Sequence, residues 1–158
     1  MNAPLKMHLF YCCTCLDREE IDRCRKSLQG DVVCVIGLPC SGKIDVPYLI
    51  KAFETGADGV IIVTCESNEC RNLEGNLRAQ KRADAMDELL EEIGLGRGRV
   101  AVVHKTVAGM GKIVEEIGAF CTTIRHLSVP KPGTPKVSGI PQRHPQPPTT
   151  RPHHQEIA

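Results

Sequence analysis

The stretch that most constrains this chain is GVIIVT, residues 59–64, apolar on both of the faces that a strand would present. A strand of that kind belongs in the middle of a parallel sheet covered by helices on each side. Three other β-branched runs accompany it, at 6–11 (KMHLFY), 32–36 (VVCVI) and 99–104 (RVAVVH). Each of the four runs is followed by a segment with helical signals. After the first, Asp17 with Glu20 three residues on forms a capping box, Ile21, Cys24 and Leu28 share a face, and Gly30 marks the stop. The second helix is expected at about 46–55, ending at Gly56. The longest is expected at about 73–93, with Leu73, Leu77, Met86, Leu89, Leu90 and Ile93 as its apolar stripe and Gly94 as its end. The last is expected at about 111–126, with Ile113, Ile117, Phe120 and Ile124 in register.

Four strand–helix units in alternation predict an α/β fold, a small three-layer domain with a four-stranded parallel sheet in the order βαβαβαβα. That domain is expected over residues 1–127. The text then changes, for eight of the eleven prolines lie beyond Val129 and no apolar period remains. Residues 128–158 are therefore expected to form a disordered, proline-rich tail.

Composition narrows the function. A formal net charge of +1 gives no electrostatic reason to expect nucleic acid, and the lack of tryptophan with only 3% aromatics argues against base stacking. The first ten residues are too short and polar for a secretory signal, and no apolar run approaches the roughly 18 residues of a membrane span. A soluble, cytoplasmic protein is expected. In a reducing cytosol the nine cysteines are better read as metal ligands, redox groups or small core residues than as disulfides.

Placed on the strand–helix frame, Cys12, Cys13 and Cys15 follow the first strand, Cys40 follows the second, and Cys65 and Cys70 follow the third. In a right-handed parallel sheet all of these loops open on one edge, the edge where such folds bind ligands. Cys24, Cys34 and Cys121 fall within elements and read as small buried hydrophobes. Thiolates gathered from CCTC, PCSGK and CESNEC would suit an iron–sulfur cluster or a structural zinc ion, and Cys12-x-x-Cys15 alone would suit a thiol redox pair. Spacing does not separate these. The basic residues Arg71, Arg78, Lys81 and Arg82 near CESNEC either offset an anionic thiolate centre or simply form a solvated face.

The second loop, GLPCSGK, also has the glycines and lysine of a phosphate-binding loop. Its next residue, Ile44, lacks the hydroxyl that would hold Mg²⁺, and the third strand ends in Thr64-Cys65 where nucleotide enzymes usually place an aspartate. A nucleotide-binding enzyme is thus a weaker alternative, as is a zinc-bearing interaction module. His104, at the end of the fourth strand, lies on the same edge.

Taken together, FYCCTC, PCSGKID, KAFETGADGVIIVTCESNECRNLEGNLRAQKR and LLEEIGL resemble the delta subunit of methyl-viologen-reducing hydrogenase, over about residues 10–120. The resemblance implies an electron-transfer subunit with one [2Fe–2S] cluster and no catalysis of its own. It implies a link from a hydrogenase or formate dehydrogenase to the flavin-containing subunit of heterodisulfide reductase. The positions that match the family's cysteines are Cys12, Cys15, Cys40, Cys65 and Cys70, five candidates for four places. Ser41, Gly42 and Lys43 match the rest of the second motif and would supply backbone N–H groups and positive charge near the sulfurs. Two departures bear on the cluster's surroundings: Thr14 stands where the family commonly has an aromatic residue, and CESNEC replaces Cys-His-Pro-Gly-Asp-Cys, with Glu66 in place of the histidine.

Overall fold

A computed structural model describes residues 4–28, 31–66 and 68–127. The expected tail and the Gly30 stop signal lie outside the described residues. Four strands, β1 (Lys6–Cys12), β2 (Val32–Leu38), β3 (Gly59–Thr64) and β4 (Val100–His104), alternate with four helices, α1 (Arg18–Ser27), α2 (Val46–Glu54), α3 (Gly75–Glu92) and α4 (Met110–His126). All strand pairs are parallel, and the sheet order is β2-β1-β3-β4. The order therefore reverses between β1 and β3, the point at which a crevice opens outside the carboxyl ends of the strands.

Side-chain alternation on β1 shows how the three layers arise. Met7 and Leu9 point to one face, where they pack with Ile21 and Cys24 of α1 and Ile113, Ile117 and Ile124 of α4. Phe10 points to the other, packing with Leu49 of α2 and Ala79, Ala83, Met86 and Leu90 of α3. Every residue of β3 is buried, as its uninterrupted apolar run requires. The capping box forms as expected: the Glu20 N–H donates to Asp17 Oδ1 at 2.8 Å and the Asp17 N–H donates to Glu20 Oε2 at 2.9 Å. Such a cap stabilises a helix start by about 1 kcal/mol.

Three expectations need correction. The stripe assigned to α3 is wrong in part, because Leu73, Leu77 and Ile93 are exposed. The buried face is instead Asn76, Ala79, Ala83, Met86 and Leu90, and its small residues let the helix lie close to the sheet. Leu73 is not in the helix at all; it occupies a turn with φ 60°, a conformation that side chains other than glycine's rarely adopt. Cys34 is exposed rather than buried, because β2 is an edge strand. On α4, Phe120 is only half-buried and Cys121 fills its place on the inner face.

Candidate metal centre

The sheet delivers cysteines to one point in a way that follows from strand order. Cys12 is the last residue of β1 and Cys65 directly follows β3, so the two flank the switch point as neighbours, with Sγ–Sγ 3.7 Å. Cys40 arrives from the adjacent exit of β2, in the turn before a short 3-10 segment, Ser41–Lys43. Cys70 closes the group from the loop between β3 and α3. These four are buried and in mutual contact, and Cys15 packs half-buried against their edge.

What surrounds the sulfurs is mostly backbone N–H. The Gly42 amide donates to Cys40 Sγ at 3.4 Å, so this cysteine caps its own 3-10 segment. Helix α3 begins without any side-chain cap from Glu74. Its first amides, those of Gly75 and Asn76, together with the Asn72 amide, are directed instead at Cys70 Sγ. A helix start leaves such N–H groups unsatisfied, and an anionic sulfur is a suitable acceptor. Burial pushes the Cys70 thiol up, but these donors and the Cys40 thiol outweigh it and hold Cys70 below the ordinary thiol range. Cys12 behaves likewise. Burial raises it, and hydrogen bonds from the Thr14 hydroxyl and amide and from the Ser41 amide bring it below its usual value. Cys65 is raised, first by burial and then by its contact with Cys12.

The sulfurs fall into two pairs. Thr14 Oγ1 lies 2.9 Å from Cys12 Sγ and 3.9 Å from Cys65 Sγ, and serves the first pair. The second pair, Cys40 and Cys70, crowds the bare Cα of Gly75: a Cβ there would lie 2.9 Å from Cys70 Sγ and closer still to Cys40 Sγ. Gly42 meets the same helix start, for its Cβ would lie 2.8 Å from Gly75 Cα. Both glycines are therefore required by close approach. Among the described residues, no three His, Cys, Asp or Glu side chains are placed around a single metal ion. Four thiols in two pairs, three of them with amide donors, are the donor set that an iron–sulfur cluster takes.

Of the five candidates, Cys15 stands apart. Its thiol donates to the Thr64 carbonyl at 3.2 Å, and burial, followed by the nearby Cys65 and Cys12, pushes it up to about 12. Cys13 is exposed, with its Sγ beside the Tyr11 hydroxyl and Gly37. Ser41 is fully buried, and among the described residues its hydroxyl has no hydrogen-bond partner. Lys43 is exposed and lines, with Arg78, a cavity of about 230 Å³ that reaches Cys40. On the other side a cavity of about 240 Å³, lined by Glu66, Glu69 and Lys105, reaches Cys65. His104 is satisfied by Thr64, with Nδ1 2.7 Å from Oγ1.

Three residues hold the site through backbone carbonyls, a role the sequence pattern does not show, although Arg82 stood out there as a basic residue near CESNEC. Arg82, on the second turn of α3, donates to the Gly42 carbonyl at 2.6 Å and to the Ile44 carbonyl. Its charge clamps the cysteine loop rather than merely decorating the helix. Asn76 donates to the Glu66 and Cys65 carbonyls at 3.0 and 3.4 Å, fixing the exit of β3. Lys105 donates to the Cys15 carbonyl at 2.8 Å and to Glu20 Oε1 at 2.9 Å, tying the first cysteine loop to α1.

The family model described as methyl-viologen-reducing hydrogenase, delta subunit, matches residues 9–128. The chain belongs to this family. An iron–sulfur subunit of an F420-non-reducing hydrogenase from Methanocaldococcus jannaschii is 34% identical over 95 residues, covering 60% of this chain and 71% of the relative. The corresponding iron–sulfur subunit from Archaeoglobus profundus is 35% identical over 95 residues, covering 60% and 69%. One subunit of the ferredoxin:CoB-CoM heterodisulfide reductase from Methanosarcina mazei is 34% identical over 101 residues, 58% of this chain but 13% of that protein. A segment similar to this delta-family domain thus occurs inside a much longer polypeptide. Among the described residues no helix is long and apolar enough to cross a membrane.

Proposed function

We propose that this chain is a cytoplasmic electron-transfer subunit carrying one [2Fe–2S] cluster. Cys12 with Cys65 would hold one iron, Cys40 with Cys70 the other, and Cys15 would be the fifth cysteine outside the ligand set. The observation that carries this reading is the nest itself: four buried thiols from three loops, in two pairs, with amide donors on Cys12, Cys40 and Cys70. When bound, the cluster supplies one-electron chemistry. The chain's own part is to bind and orient it, to exclude water with the surrounding loops, and to stabilise negative charge with N–H groups and the nearby Lys43 and Arg78.

The relatives' names support a hydrogenase and a heterodisulfide reductase as partners. The iron–sulfur relatives belong to hydrogenases, and a homologous segment lies within a heterodisulfide reductase polypeptide. We propose that this chain works between a hydrogenase or formate dehydrogenase and the flavin-containing subunit of a heterodisulfide reductase, of which the hydrogenase and heterodisulfide reductase parts have support in the relatives' names. Occurrence of one domain inside another protein's chain supports their working side by side. Anaerobic purification with iron, sulfide and zinc analysis tests the cofactor. About two iron and two acid-labile sulfide per chain, and a spin-half paramagnetic signal after dithionite reduction, are expected. Stoichiometric zinc without sulfide overturns the reading in favour of a structural zinc module.

A further inference from the structure

Ser41 combines three properties that rarely coincide. It is fully buried, its Oγ has no partner among the described residues, and it directly follows Cys40 on the turn that carries that thiol into the nest. Buried hydroxyls are nearly always satisfied, because an unmade hydrogen bond in a dry site is costly. Nothing in the fold requires a hydroxyl here, since Ser41 caps no helix and its own amide is already committed to Cys12. An alanine would fill the same space without the penalty.

Its position supplies the reason. Through its amide Ser41 touches the Cys12 half of the nest, and through the chain it adjoins Cys40 of the other half. A second hydroxyl, that of Thr14, is in a different state: it is exposed and already lies 2.9 Å from Cys12 Sγ. One hydroxyl is thus partnered by protein sulfur, and the other waits.

We infer that the Ser41 hydroxyl donates to a sulfur of the bound cluster and raises its reduction potential. This rests on the cluster reading given above. The physical basis is simple: reduction adds negative charge to the sulfurs, and a buried donor stabilises the reduced state more than the oxidised one. Ser41 is then a potential-setting residue, not one that helps the chain to fold.

The test is Ser41→Ala, followed in two forms of the full chain. In the cluster-loaded protein, a redox titration monitored by paramagnetic resonance should show the reduction equilibrium falling about tenfold, a downward shift of about 59 mV for one electron. In the cluster-free protein, the same variant should melt about 3 °C higher, because it sheds an unsatisfied buried group. Thr14→Val, which removes a partnered and solvated hydroxyl, should show no such rise. An unchanged potential in loaded Ser41→Ala means the hydroxyl is satisfied by water or by a rotated backbone carbonyl, and overturns the inference. So does a lower melting temperature in the cluster-free variant, which would reveal a protein partner. A wild type that takes up no iron or sulfide overturns the cluster reading as well, so the two failures are distinguishable.

Discussion

Cys24 and Cys121 are as buried as Cys12, Cys40, Cys65 and Cys70, yet the two groups are chemically opposed. Cys24 and Cys121 lie among Leu, Ile and Val side chains beneath the sheet. Burial, reinforced by Glu20 for one and Asp31 for the other, pushes each up to about 11. In the nest the same burial is opposed by N–H donors, and Cys12 and Cys70 fall below the ordinary thiol value. Burial therefore does not mark a ligand cysteine. What separates Cys12 and Cys70 from the core thiols is the supply of hydrogen-bond donors to their sulfurs, while Cys65, beside Cys12, stays raised.

The largest effect that can break this contrast is loss of the centre itself. Replacing Cys40 or Cys65 by serine should abolish most of the iron and sulfide bound per chain, whereas Cys24→Ala and Cys121→Ala should leave cluster content near that of the wild type. Equal loss in all four, measured on soluble protein of native circular dichroism, would erase the distinction. A smaller effect comes from the close approach at the start of α3. Gly75→Ala puts a methyl group onto the Cys40 and Cys70 sulfurs, so cluster content should fall several-fold while the two apolar cores stay intact. Full occupancy in that variant would mean that the pair is looser than the fold indicates.

The smallest effect belongs to the core thiols and is read from pH. Cys24 and Cys121 have folded values raised to about 11 from 9.0, so the unfolded chain releases these protons first as pH rises. The stability they contribute is fully present below pH 9 and is lost between about pH 9 and 11, at about 1 kcal/mol per thiol by pH 10. Denaturant midpoints of the cluster-free protein at pH 8 and 10 should converge for Cys24→Ala. An unaltered pH slope would show that burial does not hold this thiol neutral.

How much of this was legible in the sequence depended on whether the signal was local. The run GVIIVT and the Asp17–Glu20 box are local, and both took their expected form. The convergence of cysteines on one edge was legible because parallel crossovers force it. Strand order was not, so Cys34 was misplaced: its strand had no visible reason to be the outer one. The stripe of α3 misled because Leu73 and Leu77 repeat at helical spacing although the helix starts between them, at Gly75. What sets Cys15 apart from the other four candidates is its thiol's bond to the Thr64 carbonyl, a contact across 49 positions of chain that spacing does not reveal. Arg82 and Asn76 act on backbone carbonyls 38 to 40 and 10 to 11 positions away, and such bonds leave no pattern in residue types.

The Arg82 clamp also sets an order of events in the protein's making. Cys12 and Cys40 leave the ribosome well before Arg82, and until the second turn of α3 reaches back to the Gly42 and Ile44 carbonyls the loop that carries Cys40 has no anchor on that side. The nest and its clamp draw on positions 12 to 82. The four thiols of the nest are thereby gathered, with the Arg82 clamp on their loop, only in a chain whose helical layer has already docked.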